Sequence, residues 1–118
     1  MNDLLGNEIK IGDWVAQLRP VYNTSTINAE CGIISNLDEE NGKVYLVSVY
    51  DEPPVHETWY KDRETWEKAV EKQKRNGFVS FSKRKCDVKK VILTYPDKSQ
   101  AKLIKRYEKA SGKKLVDK

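Results

Sequence analysis

ECGIISNLDEENGKVYLVSVY, residues 30–50, is the stretch on which the fold turns. Two β-branched and aromatic runs, ECGIISNL (30–37) and KVYLVSVY (43–50), flank DEENG. That linker ends in Asn-Gly, the pair that most readily supplies the backbone angles of a tight hairpin. Apolar and polar side chains alternate along both runs, so each predicts a strand with one face on a core. An antiparallel hairpin is therefore the nucleus of the expected structure.

Upstream, EIKIGDWVAQL (8–18) alternates in the same way, with Ile9, Ile11, Trp14, Ala16 and Leu18 as inward candidates. Its phase changes at Gly12-Asp13, which predicts a turn or bulge. RPVYNTSTINA (19–29) is rich in Asn, Ser and Thr and reads as a long loop. Downstream, the adjacent prolines of DEPPVHE (51–57) exclude a central strand.

The period then changes to that of a helix. Asp62 can cap a helix over roughly 63–76, with Trp66, Ala69 and Val70 on one face and Gly77 as the stop. Glu64–Lys68 and Glu71–Arg75 are spaced as favourable i,i+4 pairs. GFVSFS (77–82) and DVKKVILTY (87–95) read as strands, which leaves the basic stretch between them as a connection. After Pro96, residues 97–111 predict a terminal helix, capped by Asp97 or Ser99 and stopped at Gly112; the final KKLVDK should fray.

At 118 residues the chain suits one domain spanning 1–118. Apolar residues make up 38% and charged residues 34%, polar but with enough bulk for a core. No apolar run approaches the ~20 residues of a membrane span, and none resembles a secretory leader. The expectation is a cytoplasmic protein in which Cys31 and Cys86 are reduced thiols. His56 is the only histidine and no C-x-x-C spacing occurs, so neither a metal site nor a cofactor is expected. With no G-x-S-x-G, no Cys-His spacing and only dispersed glycines, nothing points to an enzyme or to a small-molecule substrate.

Three local patterns resemble a KOW-like, or more broadly SH3-like, small β-barrel: IKIGDWV (9–15), CGII (31–34) and CDVKKVIL (86–93). They look like the opening strand, the second strand and the closing turn of such barrels. The resemblance spans about residues 8–95 and implies an α+β fold: a small antiparallel SH3-like barrel with an inserted helix at about 62–76 and a C-terminal helix. Barrels of this kind serve in nucleic-acid binding, transcription and translation, and protein recognition. Small charged chains of this build are also similar to phage early proteins that act on host machinery.

Charge is the uneven feature. Residues 1–60 hold 3 Lys/Arg against 10 Asp/Glu, while residues 61–118 hold 19 against 8. Such asymmetry points to an anionic partner for the basic half. Two basic elements are candidates for contact with nucleic acid: Lys83, Arg84, Lys85, Lys89 and Lys90, and one face of the terminal helix with Lys98, Lys102, Lys105, Arg106 and Lys109. That face lies opposite Gln100, Leu103, Ile104 and Tyr107, and it lacks the interspersed acids of the 62–76 helix.

Trp59, Tyr60 and Tyr95 are candidate stacking rings, competing with a place in the core. The expected function is non-enzymatic, backbone-directed binding with little sequence preference, to duplex DNA first and RNA second, as a regulator of transcription. The alternative is a module that binds a host protein through Asp38, Glu39, Glu40, Asp51 and Glu52. The terminal helix lacks Trp or Phe on its apolar side, so a membrane surface is not an expected partner.

Overall fold

The computed structural model describes residues 1–20 and 27–116. In chain order its elements are β1 (Trp14–Pro20), β2 (Ile27–Asp38), β3 (Lys43–Asp51), α1 (Arg63–Arg75), β4 (Val79–Asp87), β5 (Val91–Leu93) and α2 (Lys98–Ser111). Single 3₁₀ turns at Glu57–Trp59 and Val88–Lys90 precede α1 and β5. This is a small α+β protein with a five-stranded sheet in the order β4-β3-β2-β1-β5 and two α-helices. Among the described residues the sheet is open.

The residues group into two compact units, one of Met1–Ser48 and Ser82–Lys98, the other of Val49–Phe81 and Ser99–Leu115.

In the first unit, the β2–β3 hairpin forms where the alternation predicts it. Asp38 pairs with Lys43, Ile33 with Val47, and a bulge between Ile34 and Asn36 shifts the register. Gly42, at φ +64, supplies the left-handed residue of the turn. The core is Ile9, Val15, Ile34, Val44, Leu46, Cys86, Val88 and Val91, flanked by Met1 and Leu37.

Two strand expectations are corrected here. Past the turn at Lys10–Asp13, the inward residues of β1 are Val15 and Gln17, while Trp14, Ala16 and Leu18 are half-buried on the opposite face. Ile11 is 39% exposed. Apolar side chains occupy both parities of this strand, so alternation could not fix its phase; a hydrogen-bond partner for Gln17 does. The second correction concerns residues 83–86, which are not a connection but the body of β4. The link to β5 is instead the 3₁₀ turn at Val88–Lys90, whose first amide, from Val88, donates to Gly42 O at 2.9 Å.

The ends of the expected 19–29 loop are strand as well, with Arg19 paired to Asn28 and Pro20 to Ile27. Its centre, residues 21–26, lies outside the described residues, as do Asp117 and Lys118 of the expected frayed tail.

In the second unit, α1 begins and ends where its signals stand. Asp62 Oδ1 accepts from the Thr65 amide at 2.7 Å. Gly77 N donates to Lys74 O and Phe78 N to Gln73 O, a Schellman closure that satisfies the last carbonyls. The Glu64–Lys68 and Glu71–Arg75 pairs form at 3.4 and 3.3 Å. Gln73, buried to 5% exposure, accepts from Val55 N and donates to Pro53 O, and Trp66 Nε1 donates to Val55 O. Together they pin the two-proline segment to the helix. Helix α2 packs its expected face, with Gln100 accepting from Val49 N and Tyr107 edge-on to Phe81 at 4.8 Å.

Candidate nucleic-acid interface

A strand turns alternate side chains to opposite faces, and β4 sorts its basic residues that way. Lys83 and Lys85 are exposed, whereas the Arg84 side chain is only 11% exposed. A guanidinium held out of water needs acceptors, and the neighbouring strands supply them. Arg84 Nε donates to Gln17 Oε1, Nη1 donates to Ser48 Oγ at 2.9 Å, and Glu30 Oε1 lies 3.8 Å from Nη1. Ser48 Oγ in turn donates to Cys31 O at 2.7 Å.

Gly32 makes room for this cluster, since a Cβ there would sit 3.2 Å from Ser48 Oγ and 3.4 Å from Arg84 Nη2. Nη2 is buried and has no partner among the described residues. Arg84 is thus an internal organiser of the sheet rather than part of its outer basic surface. Gln17 and Ser48 carry no sequence signal for this, because each reads as an ordinary polar position on an alternating strand.

Lys85 holds its ammonium 5.4 Å from the centre of the Tyr45 ring, a cation–π contact. Lys89 and Lys90 are exposed on the 3₁₀ turn, which Asp87 caps by accepting from Lys89 N at 2.9 Å. That hydrogen bond is the main cause of the lowered pKa of Asp87, with Lys43, Lys89 and Lys90 adding to it. Lys98 is exposed at the first position of α2.

In the second unit, Lys102, Lys105 and Lys109 are exposed. Among the described residues no ion pair involves Lys83, Lys89, Lys90, Lys98, Lys102, Lys105 or Lys109. Arg106 differs. Its guanidinium donates to Gly77 O at 2.6 Å, Phe78 O at 3.0 Å and Asp51 Oδ1 at 2.5 Å. It is a strut that ties α2 to the turn after α1.

The acidic candidates are partly consumed in the same way. Asp51 is the partner of Arg106. Asp38 accepts from both the side chain and the amide of Asn41, which lowers its pKa, and so serves the hairpin turn. Glu39 faces the N-terminal amine at 3.9 Å. Glu40 is exposed, and Glu52 is half-buried beside α1 with its amide donating to Phe78 O.

Among the candidate rings, Trp59 is 66% exposed with His56 edge-on at 4.8 Å. Tyr60 is half-buried and lines a cavity against Ala69 and Gln73. Tyr95 is 88% exposed.

Cys31 and Cys86 form no disulfide among the described residues, and burial pushes both pKa values up. No group of three or more His, Cys, Asp or Glu side chains that could hold a metal occurs among the described residues, and no helix there is long and apolar enough to cross a membrane.

No curated protein and no solved structure matches the chain. One family model does, a domain of unknown function termed DUF7205, over residues 1–91. With the match covering the N-terminal segment, β1 to β4 and α1, more than half of the chain, the protein belongs to the DUF7205 family.

Proposed function

We propose that this protein binds the backbone of nucleic acid with little sequence preference and acts without catalysis, in the manner of a small regulator of transcription. The observation that carries this reading is the contrast between its cations and its anions. Lys83, Lys89, Lys90, Lys98, Lys102, Lys105 and Lys109 are exposed without ion pairs among the described residues, while Asp38 and Asp51 are engaged internally. Lysines that no close ion pair holds can neutralise phosphates and release condensed counterions with little to break.

The strand order β4-β3-β2-β1-β5, with a helical turn leading into the last short strand, supports an SH3-like, KOW-like reading of the architecture. Closure into a barrel would bring β4 to β5, and those edges do not pair among the described residues.

The test is fluorescence anisotropy with labelled duplex DNA, single-stranded DNA and RNA across a salt series. Changing Lys102, Lys105 and Lys109 together to Glu should weaken binding and reduce the slope of log K against log salt by roughly one unit per lost phosphate contact. Arg106 is left unchanged in that variant because it holds the second unit together. Wild-type protein that shows no salt-sensitive binding at low ionic strength would end this reading. The host-protein alternative would then be tested by changing Glu39 and Glu40 to Lys.

A further inference from the structure

We propose that Tyr95 is a stacking platform for the bases of a single-stranded nucleic acid, with Lys98 taking a neighbouring phosphate. The proposal rests on the nucleic-acid reading above and narrows its partner from duplex to single strand. Exposed apolar residues are common, so exposure alone carries little. Tyr95 is distinguished by its degree of exposure, its mounting and its neighbour. At 88% it is the most exposed of the large hydrophobic side chains among the described residues, and among them it makes no ring contact of the kind that edges His56 onto Trp59.

The segment that carries the ring is tied down immediately before it and stiffened immediately after. Leu93 N donates to Asp3 Oδ2 at 2.7 Å and Thr94 N donates to Trp14 O at 2.9 Å. Pro96 fixes its own φ and restricts Tyr95 to extended backbone. A ring on such a mount loses little backbone freedom when it captures a base, which is the advantage of preorganisation.

Lys98 follows within about 11 Å of chain, the extended reach of three residues. It is exposed, and no ion pair holds it among the described residues. A ring and a cation at that spacing can serve a base and the phosphate of the same or the next nucleotide. In a duplex the base faces are already stacked on one another, so an exposed ring has nothing to cover. In a single strand every base offers a free face, whatever the sequence.

The experiment compares wild type, Tyr95→Ala and Tyr95→Trp in binding to a labelled pyrimidine single strand and to a duplex of equal length, across a salt series. Because the side chain is almost wholly exposed, all three should melt alike. Tyr95→Ala should weaken single-strand binding about 5- to 100-fold, the scale of one lost base–aromatic stack. Its salt slope should be unchanged, because stacking releases no counterions. Tyr95→Trp should restore the affinity, and duplex binding should be indifferent to both changes. Salt-sensitive binding that ignores Tyr95→Ala, or that falls equally on duplex, overturns the platform and leaves the backbone-binding reading standing. Absence of any salt-sensitive binding by wild type overturns both.

Discussion

At Asp3 a carboxylate sits at 6% exposure with four donors around it: the amides of Leu5, Asn7 and Leu93 and the side-chain amide of Asn7. Burial on its own would raise the pKa, but the hydrogen bonds to the ionised form outweigh it and the net shift is downward. A folded-state pKa below the unfolded value means that Asp3 adds stability above about pH 4 and loses it as the pH falls through and below that point. Asp3→Asn removes the charge and turns one acceptor into a donor facing donors. The variant should be less stable at neutral pH by about 1–3 kcal/mol. It should also lose less of its melting temperature than wild type between pH 5 and 3, values chosen to bracket the carboxylate range. Equal acid sensitivity in thermal melts of the two proteins would show that other carboxylates govern the acid limb.

Helix α1 ends in a turn whose geometry can be separated into two costs. Gly77 has φ +65, and a Cβ there would meet Arg106 O at 2.9 Å and the Ala110 side chain at 3.2 Å. Gly42, in the hairpin, has nearly the same φ of +64 with nothing within 4 Å. Alanine at Gly42 should therefore cost only the left-handed conformation, about 1–2 kcal/mol. Alanine at Gly77 should cost that and the steric conflict with α2, so its loss measured by urea denaturation should be clearly larger. Equal losses would mean that α2 yields freely at this contact. Phe78 follows at φ +56, a conformation uncommon for a bulky residue, and its carbonyl is held by Glu52 N and Arg106 Nη2. Three partners on one guanidinium explain why Arg106, alone on its helix face, is structural.

For the whole molecule, the test is which apolar residues the fold treats as interior. Ile11 and Val47 are both β-branched residues in apolar-rich stretches, yet Val47 is 3% exposed and Ile11 39%. Val47→Asp places an unpaired charge in the interior, with a cost of about 3–5 kcal/mol, a large part of a typical domain's stability of roughly 5–15 kcal/mol. Ile11→Asp should change stability by about 0.5 kcal/mol or less, the range for exposed positions. Circular dichroism melts decide the matter: a Val47→Asp protein with a wild-type transition would show that Val47 is not held in the interior, and an Ile11→Asp protein that fails to fold would restore the inward reading of that residue.

Local chemistry was enough to determine the β2–β3 hairpin, the span of α1 with its Asp62 cap and Gly77 stop, and the apolar face of α2. Each of these is encoded within a few residues, by turn propensity, capping or periodicity, so neighbours in the chain suffice. The phase of β1, the strand character of residues 83–86 and the roles of Arg84 and Arg106 were not legible, because their partners lie far along the chain. Gln17 is 67 positions from Arg84, and Asp51 is 55 positions from Arg106. A basic residue in sequence is only a charge; whether it faces water or a carbonyl is decided by the strands and turns that fold against it. Tertiary structure alone divided the lysines left open to solvent from Arg84, enclosed by its acceptors, and from Arg106, held at the surface by three of them, since the setting of a cation depends on where its acceptors arrive and not on what precedes it.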